Sequence, residues 1–600
     1  MNVHVSAESS DRGGDTPAKA WLRALELTAP IAANPTRTLP AMMDALADRH
    51  GDAPALLNER GTLSYRALAA RANRYARWAL ARGVGKGDAV GLLMPNCPDY
   101  MAAWLGITRV GGVVALINTN LAGRALAHCI DIVAPGHIIV AGELSAAWAS
   151  ARPHLAARPR VWTHGVSTRD GRPIDWALAR CSDAPLEAAE QRGITIDDEA
   201  LYIYTSGTTG LPKAARVSHA RVLTWSCWFA GMMNTGPGDR MYDCLPMYHS
   251  VGGVVATGAL LVGGGSVAIR EKFSARQFWD DVARFDCTLV QYIGELARYL
   301  VNAPPHPHEQ AHRLRLACGN GLRADVWEAF QQRFAIPRIL EFYAATEGNL
   351  SLYNADGKVG AIGKVPSFLA HRFPAAIIRL DPDRGEAMRD AEGFCIRCAA
   401  DEPGEAIGRI ERANPGARFD GYTDAQASER KILRDVFKPG DAWFRTGDLM
   451  RKDAQGYFYF VDRIGDTFRW KGENVSTAEV ASAVARCPGV LDAAVYGVTV
   501  PGTDGRAGMA ALVVGDGFDL AALYRHLDCL PAYARPVFVR IRGELETTGT
   551  FKHQKGELAR EGYDPAATGD AIYVSDAGRR AYVRMGAELF ERIQAGQTRL

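Results

Sequence analysis

A buried strand that opens into a loop rich in glycines and hydroxyls is the feature that most constrains this chain. The apolar run 201–204 is followed by Thr-Ser-Gly-Thr-Thr-Gly-Leu-Pro-Lys. Glycines expose backbone N–H groups, hydroxyls add donors, and the lysine adds a point charge, so this loop suits a polyphosphate. It lacks the spacing of a Walker A loop. The predicted phosphate contacts are Thr205, Ser206, Gly207, Thr208, Thr209, Gly210 and Lys213.

Helical and strand-like patterns alternate along the chain on the N-terminal side of this loop. Apolar residues keep helical spacing over 65–79, and strand-like runs at 89–94 and 113–117 flank a helical stretch at 99–109. Such alternation predicts parallel sheets covered by helices. The fold class is therefore α/β, with a large N-terminal domain of βαβ-type sheets with helices. A smaller C-terminal α+β domain begins near Asp462, with a helix at 476–485 and a strand at 493–496.

Length, charge and cysteine content limit the class of protein. Six hundred residues exceed one ordinary core, and a net charge of +2 gives no electrostatic argument for a nucleic acid partner. Eleven scattered cysteines without a secretory signal indicate a reduced compartment, so a cytoplasmic location is expected. The apolar run 251–269 contains six glycines and predicts a buried helix, a turn and a strand. Peripheral membrane association stays open, as does the oligomeric state.

A second glycine-rich turn admits two interpretations. Gly319, Asn320 and Gly321 open a G-x-G-x-x-A pattern after the strand-like run 314–317, and Glu341 lies about twenty residues further on. Alone, this pattern is typical of dinucleotide binding. No second nucleotide-binding half is evident, however, and the polyphosphate loop lies upstream. The turn can equally hold the adenine or a phosphate of ATP, and the three residues are predicted to do so.

Three further motifs follow in order. They are Leu-Glu-Phe-Tyr-Ala-Ala-Thr-Glu-Gly at 340–348, Trp-Phe-Arg-Thr-Gly-Asp-Leu at 443–449 and Asp-Arg at 462–463. Together with the loop at 204–213 they resemble the motifs of the adenylate-forming superfamily, which includes acyl-CoA synthetases, luciferases and peptide-synthetase adenylation domains. The resemblance implies that Tyr343 stacks on adenine, Thr346 contacts the α-phosphate, Glu347 holds Mg²⁺, Asp448 binds the ribose hydroxyls and Arg463 contacts ribose or phosphate.

The same resemblance implies a catalytic lysine and an interdomain hinge. The segment Thr-Gly-Thr-Phe-Lys at 548–552 is similar to the S/T-G-K motif, with two extra residues before Lys552, and Lys555 is the alternative. Gly465 occupies the position of the hinge about which the small domain would rotate, where relatives usually carry Asp or Lys. His249 matches a position near the acyl carboxylate, although a hydrogen-bonded core histidine is the alternative.

Departures from the superfamily pattern narrow the resemblance. The segments 116–121, 291–296, 462–475 and 549–553 look like the very-long-chain acyl-CoA synthetase and fatty-acid-transport-protein family. This implies that ATP, Mg²⁺ and coenzyme A serve the conversion of a long- or very-long-chain fatty acid through an acyl-adenylate to acyl-CoA, with release of AMP and pyrophosphate. The alternatives are another carboxylic acid such as a sterol acid, acyl transfer to a carrier protein, and a fatty acid uptake protein.

The predicted domains follow from these motifs. A polar N-terminal extension covers 1–37, a large ATP- and acyl-binding domain covers 38–463, and a small mobile domain with the catalytic lysine covers 464–562. A helical tail covers 563–600. The acyl pocket is expected behind His249, beside 252–254 and 291–295, where small residues are compatible with a long chain and equally with simple core packing.

Overall fold

The computed structural model describes residues 16–166, 171–205, 212–381, 385–411, 417–471, 473–503, 505–547, 553–598 and 600, without the side chain of Asn474. The chain divides into two compact units. The first comprises residues 1–347, 353–360 and 411–425, and the second comprises 348–352, 361–410 and 426–600. The predicted boundary after Arg463 falls inside the second unit and stays a prediction.

The first unit contains a seven-stranded sheet that ends in the predicted phosphate loop. Its strands are parallel except for the last pair, which is antiparallel. In spatial order they are Arg172–Pro173, Arg160–His164, His137–Ala141, Ala89–Leu93, Val113–Leu116, Glu199–Thr205 and Lys213–Ser218. Both strands predicted from the runs at 89–94 and 113–117 are present and buried.

A second set of strands in this unit is parallel apart from one terminal hairpin. In spatial order these strands are Ile339–Ala344, Leu316–Asn320, Leu289–Ile293, Arg240–Asp243, Ser266–Ile269, Pro54–Asn58 and Gly61–Ser64. Because the carboxyl ends of parallel strands meet at one edge, the turn at 319–321 and the motif at 343–347 are brought to the same edge.

Helices connect and cover these sheets, which confirms the α/β prediction. They are Pro17–Thr28, Leu39–His50, Tyr65–Ala81, Pro98–Arg109, Gly123–Asp131, Ser145–Ala151, Ile174–Leu178, His219–Met233, Thr257–Gly263, Phe278–Arg284, Gly294–Asn302 and Ala324–Arg333. Serine residues cap the N-termini of two of these helices. The Ser64 and Ser218 hydroxyls accept hydrogen bonds from the backbone N–H groups of Ala67 and Arg221. The strand Ser351–Asn354 and the helix Ala425–Glu429 span boundaries between the units.

The second unit is built mainly from antiparallel strands. One group has the order Ala375–Ile378, Gly404–Arg409, Ala442–Lys452, Tyr457–Arg463 and Gly363–Lys364, with Ile432–Arg434 beside the third. A hairpin joins Phe468–Trp470 to Glu473–Val475. The five-stranded sheet has the order Val490–Val498, Ala507–Val514, Phe538–Arg542, Ala571–Asp576 and Ala581–Arg584. Its helices are Thr477–Ala485, Leu520–His526, Lys555–Glu561, Pro565–Thr568 and Ala587–Gln594.

Two predictions about the chain ends need correction. The segment 563–600 is not a purely helical tail, because its strands Ala571–Asp576 and Ala581–Arg584 complete the five-stranded sheet. At the other end, the described part of the N-terminal extension is not merely polar. Its helix buries Trp21, whose ring lies edge-on to Trp228 at 5.5 Å and to Tyr353 at 5.6 Å. Strand pairing thus fixes the C-terminal segment to its unit, and burial of an aromatic ring fixes the N-terminal helix to its own.

The helix, turn and strand predicted for the apolar run 251–269 are confirmed. The run contains a π-helical segment at Val251–Ala256, the helix Thr257–Gly263 and the strand Ser266–Ile269. Across the described ranges, no helix combines the length and the apolar character needed to cross a membrane.

Candidate active site

The predicted phosphate loop is anchored at both ends by strand pairing. Thr205 and Lys213 lie opposite each other in the antiparallel pair that flanks the loop. The Lys213 ammonium lies 5.6 Å from the centroid of the Tyr422 ring. The loop residues Ser206, Gly207, Thr208, Thr209 and Gly210 lie outside the described residues. The predicted role of the loop therefore stays a prediction, with Thr205 and Lys213 as its observed ends.

Tyr422 connects three of the predicted site residues. Its hydroxyl donates a hydrogen bond to Glu347 Oε1 at 2.8 Å, and the Thr205 hydroxyl also hydrogen-bonds to the phenol. Desolvation, followed by the charge of Glu347, raises the pKa of Tyr422 well above its ordinary value, so the phenol keeps its proton as a donor. Sequence reasoning missed this residue because a Gly-Tyr pair between strands carries no signal of its own.

A buried guanidinium holds the segment that carries Thr346 and Glu347. Arg221 is 5% exposed, and its Nη1 donates to the carbonyl of Thr346 at 3.0 Å. Nη2 donates to the carbonyl of Arg418 at 2.7 Å, and Nε lies 3.4 Å from Asp420 Oδ2. Desolvation lowers the pKa of Arg221, while the nearby carboxylates of Asp420 and Glu347 oppose that shift. Arg221 was also missed, because in sequence it is an ordinary residue in the first turn of a helix.

The Thr346 hydroxyl contacts the hydroxyl of Ser250. Thr346 Oγ1 lies 3.1 Å from Ser250 Oγ, and Ser250 follows the predicted residue His249. His249 is half-buried, its ring centroid lies 4.6 Å from that of Tyr248, and its carbonyl accepts the N–H of Gly253 at 2.8 Å. His249 is thus the sequence neighbour of a residue that contacts Thr346, and its predicted role near an acyl carboxylate stays a prediction.

The glycine turn at 319–321 requires small residues for close packing. A Cβ on Gly319 would lie 2.2 Å from the carbonyl oxygen of Tyr292, and one on Gly294 would lie 1.8 Å from that of Gly321. Tyr343 is half-buried one residue before the end of the neighbouring strand, and Asn320 is likewise half-buried at the end of its own strand. The turn therefore brings backbone groups and these two side chains to one strand edge.

Glu341 does not occupy the exposed position that a dinucleotide-binding motif requires. It is 1% exposed, and its Oε1 accepts the backbone N–H of Leu322 at 3.0 Å. Its Oε2 is hydrogen-bonded to the Tyr292 hydroxyl. Burial raises the pKa of Glu341 to about 8, against hydrogen bonds that lower it. Glu341 is therefore a structural acid beneath the turn, which removes the main support for NAD or FAD binding.

We expect Glu341→Gln to change how stability depends on pH. The folded-state pKa of Glu341 is raised, so its contribution is fully present below pH about 4.5 and is lost as pH rises through about 8. Each unit of such a shift corresponds to about 1.4 kcal/mol. The glutamine can keep both hydrogen bonds but cannot ionise. Thermal unfolding from pH 5 to 8 should therefore favour the variant increasingly over wild type, and a constant difference would contradict this assignment.

In the second unit, Asp448 and Arg463 face each other across two paired strands. They are register partners, and Arg463 Nε lies 3.8 Å from Asp448 Oδ1. Asp462, which precedes Arg463 in the Asp-Arg motif, is 2% exposed and accepts hydrogen bonds from the Thr477 N–H at 2.5 Å and hydroxyl at 3.0 Å. It thereby satisfies the first backbone N–H of the helix Thr477–Ala485, whose N-cap residue is Ser476.

Of the two candidate catalytic lysines, Lys552 lies outside the described residues, and Lys555 lies within them. Lys555 begins the helix Lys555–Glu561, and its Nζ donates to Thr477 Oγ1 at 2.8 Å and to Asp466 Oδ2 at 3.3 Å. Lys555 is thus engaged within its own unit by a hydroxyl and a carboxylate.

The residues around Glu347 suit a magnesium ion. Mg²⁺ prefers oxygen ligands and is commonly bound through one or two carboxylates together with substrate phosphates and waters. Glu347 supplies a half-buried carboxylate, and Thr346 and Ser250 add hydroxyl oxygens nearby. Tyr422 fixes one carboxylate oxygen, as outer-shell hydrogen bonds do around metal ligands.

Comparison with known proteins identifies related sequences over most of the chain. Residues 43–392 match the family model described as AMP-binding enzyme, and 479–552 match the AMP-binding enzyme C-terminal domain. Long-chain fatty acid transport protein 1 of Mus musculus is 42% identical over 93% of this chain and 88% of its own length. Medium/long-chain-fatty-acid–CoA ligase FadD6 of Mycobacterium tuberculosis is 40% identical over 92% and 90%.

Solved structures agree with the fold. ATP-bound MatB from Rhodopseudomonas palustris is 25% identical and superposes with a TM-score of 0.72 over 87% of this chain and 99% of its own. The anthranilate CoA ligase AuaEII in complex with anthranoyl-AMP has a TM-score of 0.75 over 88% and 97%, at 21% identity, which supports the fold alone.

Proposed function

The chain belongs to the AMP-binding enzyme family, and on that premise we propose that it is an AMP-forming fatty acid–CoA ligase. It activates a long- or very-long-chain fatty acid with ATP and transfers the acyl group to coenzyme A. AMP and pyrophosphate are released. The relatives that match over nine-tenths of the chain are named for long-chain fatty acid transport or for fatty acid–CoA ligation, and both names concern the same class of substrate.

The reaction has two steps. In the first, the fatty carboxylate attacks the α-phosphorus of ATP, and pyrophosphate leaves. Lys213 and the loop at 205–210 offset charge on the departing phosphates, and Lys552 offsets charge at the carboxylate and the α-phosphate. In the second, the coenzyme A thiol attacks the acyl carbonyl, and AMP leaves.

The nucleotide is assigned to residues of the turn at 319–321 and of the motifs at 340–348, 443–449 and 462–463. Tyr343 stacks on adenine beside the turn Gly319, Asn320 and Gly321, and Thr346 contacts the α-phosphate. Asp448 accepts hydrogen bonds from the ribose hydroxyls, since a carboxylate supplies two acceptor oxygens. Arg463, 3.8 Å from Asp448, contacts ribose or phosphate.

Glu347 would hold Mg²⁺, which when bound neutralises charge on the phosphates and supplies Lewis-acid polarisation. The Tyr422 hydroxyl orients that carboxylate through its 2.8 Å hydrogen bond. The Arg221 guanidinium holds the backbone of Thr346 in place through its hydrogen bond to the Thr346 carbonyl. The single observation that best supports the proposal is that Tyr422 links Glu347 to Lys213 while Arg221 holds Thr346, which brings a carboxylate, a cation and hydroxyl groups together in the first unit.

The acyl pocket is proposed behind His249, against the π-helical segment Val251–Ala256. Gly252 and Gly253 lie against the backbone of 245–247, where an added Cβ would approach a carbonyl within 2.0–2.8 Å. Their small size is therefore explained by local packing, so it carries no information on chain length. A cytoplasmic location with peripheral membrane contact suits a substrate that partitions into lipid.

The proposal is tested by pyrophosphate release from purified protein with a panel of carboxylic acids. We expect pyrophosphate release with long-chain fatty acids and none without ATP. CoA-dependent formation of AMP separates a CoA ligase from an enzyme that loads a carrier protein. Preference for a sterol acid, or fatty acid binding without pyrophosphate release, would support the alternative substrate or an uptake protein instead.

Gly465 provides a prediction about the second step. Gly465→Pro should impair thioester formation more than adenylation, because proline fixes φ and restricts the residue before it. The two half-reactions are measured separately, as pyrophosphate release and as thioester formation from preformed acyl-adenylate. Equal losses in both would place the hinge elsewhere, provided that circular dichroism shows an intact fold.

A further inference from the structure

Two histidines and an aspartate converge on the surface of the first unit. His308 Nδ1 lies 2.8 Å from Asp280 Oδ1, and His306 Nε2 lies 3.5 Å from Asp280 Oδ2. In the part of the chain that the structure describes, this is the one group of three such side chains whose ligand atoms all lie within 4.8 Å of one another. We propose that it is a binding site for a divalent transition metal ion, with Zn²⁺ as the best match.

The donor set selects the class of ion. Two imidazole nitrogens and one carboxylate oxygen suit Zn²⁺, Co²⁺ or Ni²⁺, whereas Mg²⁺ and Ca²⁺ prefer oxygen ligands alone. In a tetrahedral zinc site with bonds near 2.0–2.1 Å, neighbouring ligand atoms lie roughly 3.3 Å apart. Here each imidazole nitrogen lies 2.8 or 3.5 Å from a different carboxylate oxygen of Asp280, and one ligand atom from each of the three residues lies within 4.8 Å of the other two. Three protein ligands leave a fourth position for water.

The loop that carries the histidines is stiff and held from both sides. Pro305 and Pro307 flank His306 and fix φ at alternate positions, which lowers the freedom lost on metal binding. The backbone N–H of His306 donates to Glu309 Oε2 at 3.1 Å, and Glu309 forms a 2.8 Å ion pair with Arg333. The third ligand, Asp280, lies in the first turn of the helix Phe278–Arg284. A bound ion would therefore fasten the 303–312 loop to this helix.

Proton positions must change when the ion binds. Without metal, His306 Nδ1 accepts the N–H of His308 at 3.2 Å, which places the ring proton on Nε2 toward Asp280. Coordination through Nε2 moves this proton to Nδ1 and opens that contact. His308 likewise shifts its proton from Nδ1 to Nε2. With side-chain exposures of 50% for His308 and 56% for Asp280, the ion reaches the site directly from solvent.

The experiment is calorimetric titration of the chelator-treated full chain with Zn²⁺ alone, without nucleotide or Mg²⁺. We expect one saturable site that the His306→Gln/His308→Gln double variant lacks, and at least tenfold weaker binding in Asp280→Asn. His154→Gln, which removes an exposed histidine elsewhere in the same unit, is the matched control and should bind as wild type does.

A second readout separates this site from the enzyme activity. Zn²⁺ should raise the thermal unfolding temperature of wild type and of His154→Gln but not that of the double variant, because ligand binding to the folded state stabilises it. Acyl-CoA formation should be unchanged in all variants, which shows that they fold. Equal Zn²⁺ uptake by wild type and the double variant, or no saturable binding by wild type, would overturn the proposal.

Discussion

Lys552→Ala is expected to lose adenylation by ~10²–10³-fold, which corresponds to about 3–4 kcal/mol of transition-state stabilisation. The lysine's charge matters while the carboxylate attacks phosphorus, because negative charge develops there. After rotation of the small domain it should be distant from the thiol. Supplied with preformed acyl-adenylate and coenzyme A, the variant should therefore form thioester near the wild-type rate. Stopped-flow pyrophosphate release and thioester formation measure the two steps.

Lys555→Ala is the matched control for that experiment. Lys555 is held by Thr477 Oγ1 and Asp466 Oδ2 within the second unit, so its loss should be mild in both half-reactions. If Lys555→Ala instead gives the selective adenylation defect, the two extra residues before Lys552 have been aligned wrongly. If neither variant is selective, the assigned mechanism does not apply to this chain.

Glu347→Gln is expected to lower kcat/KM for Mg²⁺-ATP by roughly 10²–10³-fold, the range typical for loss of one electrostatic contact in a transition state. The substitution is nearly isosteric and removes one ligand charge, so the fold should persist. Part of the loss should be recovered at high Mg²⁺ concentration. Steady-state kinetics over a Mg²⁺ series measure this, and wild-type rates at limiting Mg²⁺ would falsify the assignment.

Tyr422→Phe separates the orientation of that carboxylate from its charge. It removes only the hydroxyl that donates to Glu347 Oε1, and residues that act through a ligand typically contribute about 10–100-fold. We expect a loss of about tenfold with the same dependence on Mg²⁺ as in Glu347→Gln. A loss that does not respond to Mg²⁺ would indicate a different role for Tyr422.

Local sequence patterns were sufficient for the fold class and for most elements. Apolar periodicity identified the helix Tyr65–Ala81 and the strands Ala89–Leu93 and Val113–Leu116, because local burial imposes a period that can be read from few residues. It fails at the C-terminus, where the sequence predicts a helical tail and the structure has the strands Ala571–Asp576 and Ala581–Arg584. These strands are short, and pairing within the five-stranded sheet decides their conformation.

The site shows the same division between sequence and structure. Resemblance of the ordered motifs to a known family identified the adenylate-forming class and pointed to Thr346, Glu347 and Asp448, because short motifs can be recognised without knowledge of the fold. Only the tertiary structure showed that Tyr422 and Arg221 hold the Thr346–Glu347 segment and that Glu341 is buried beneath the glycine turn. Such contacts join residues about 20 to 125 positions apart. No local pattern encodes them, because they arise only when packed elements bring distant polar groups together out of water.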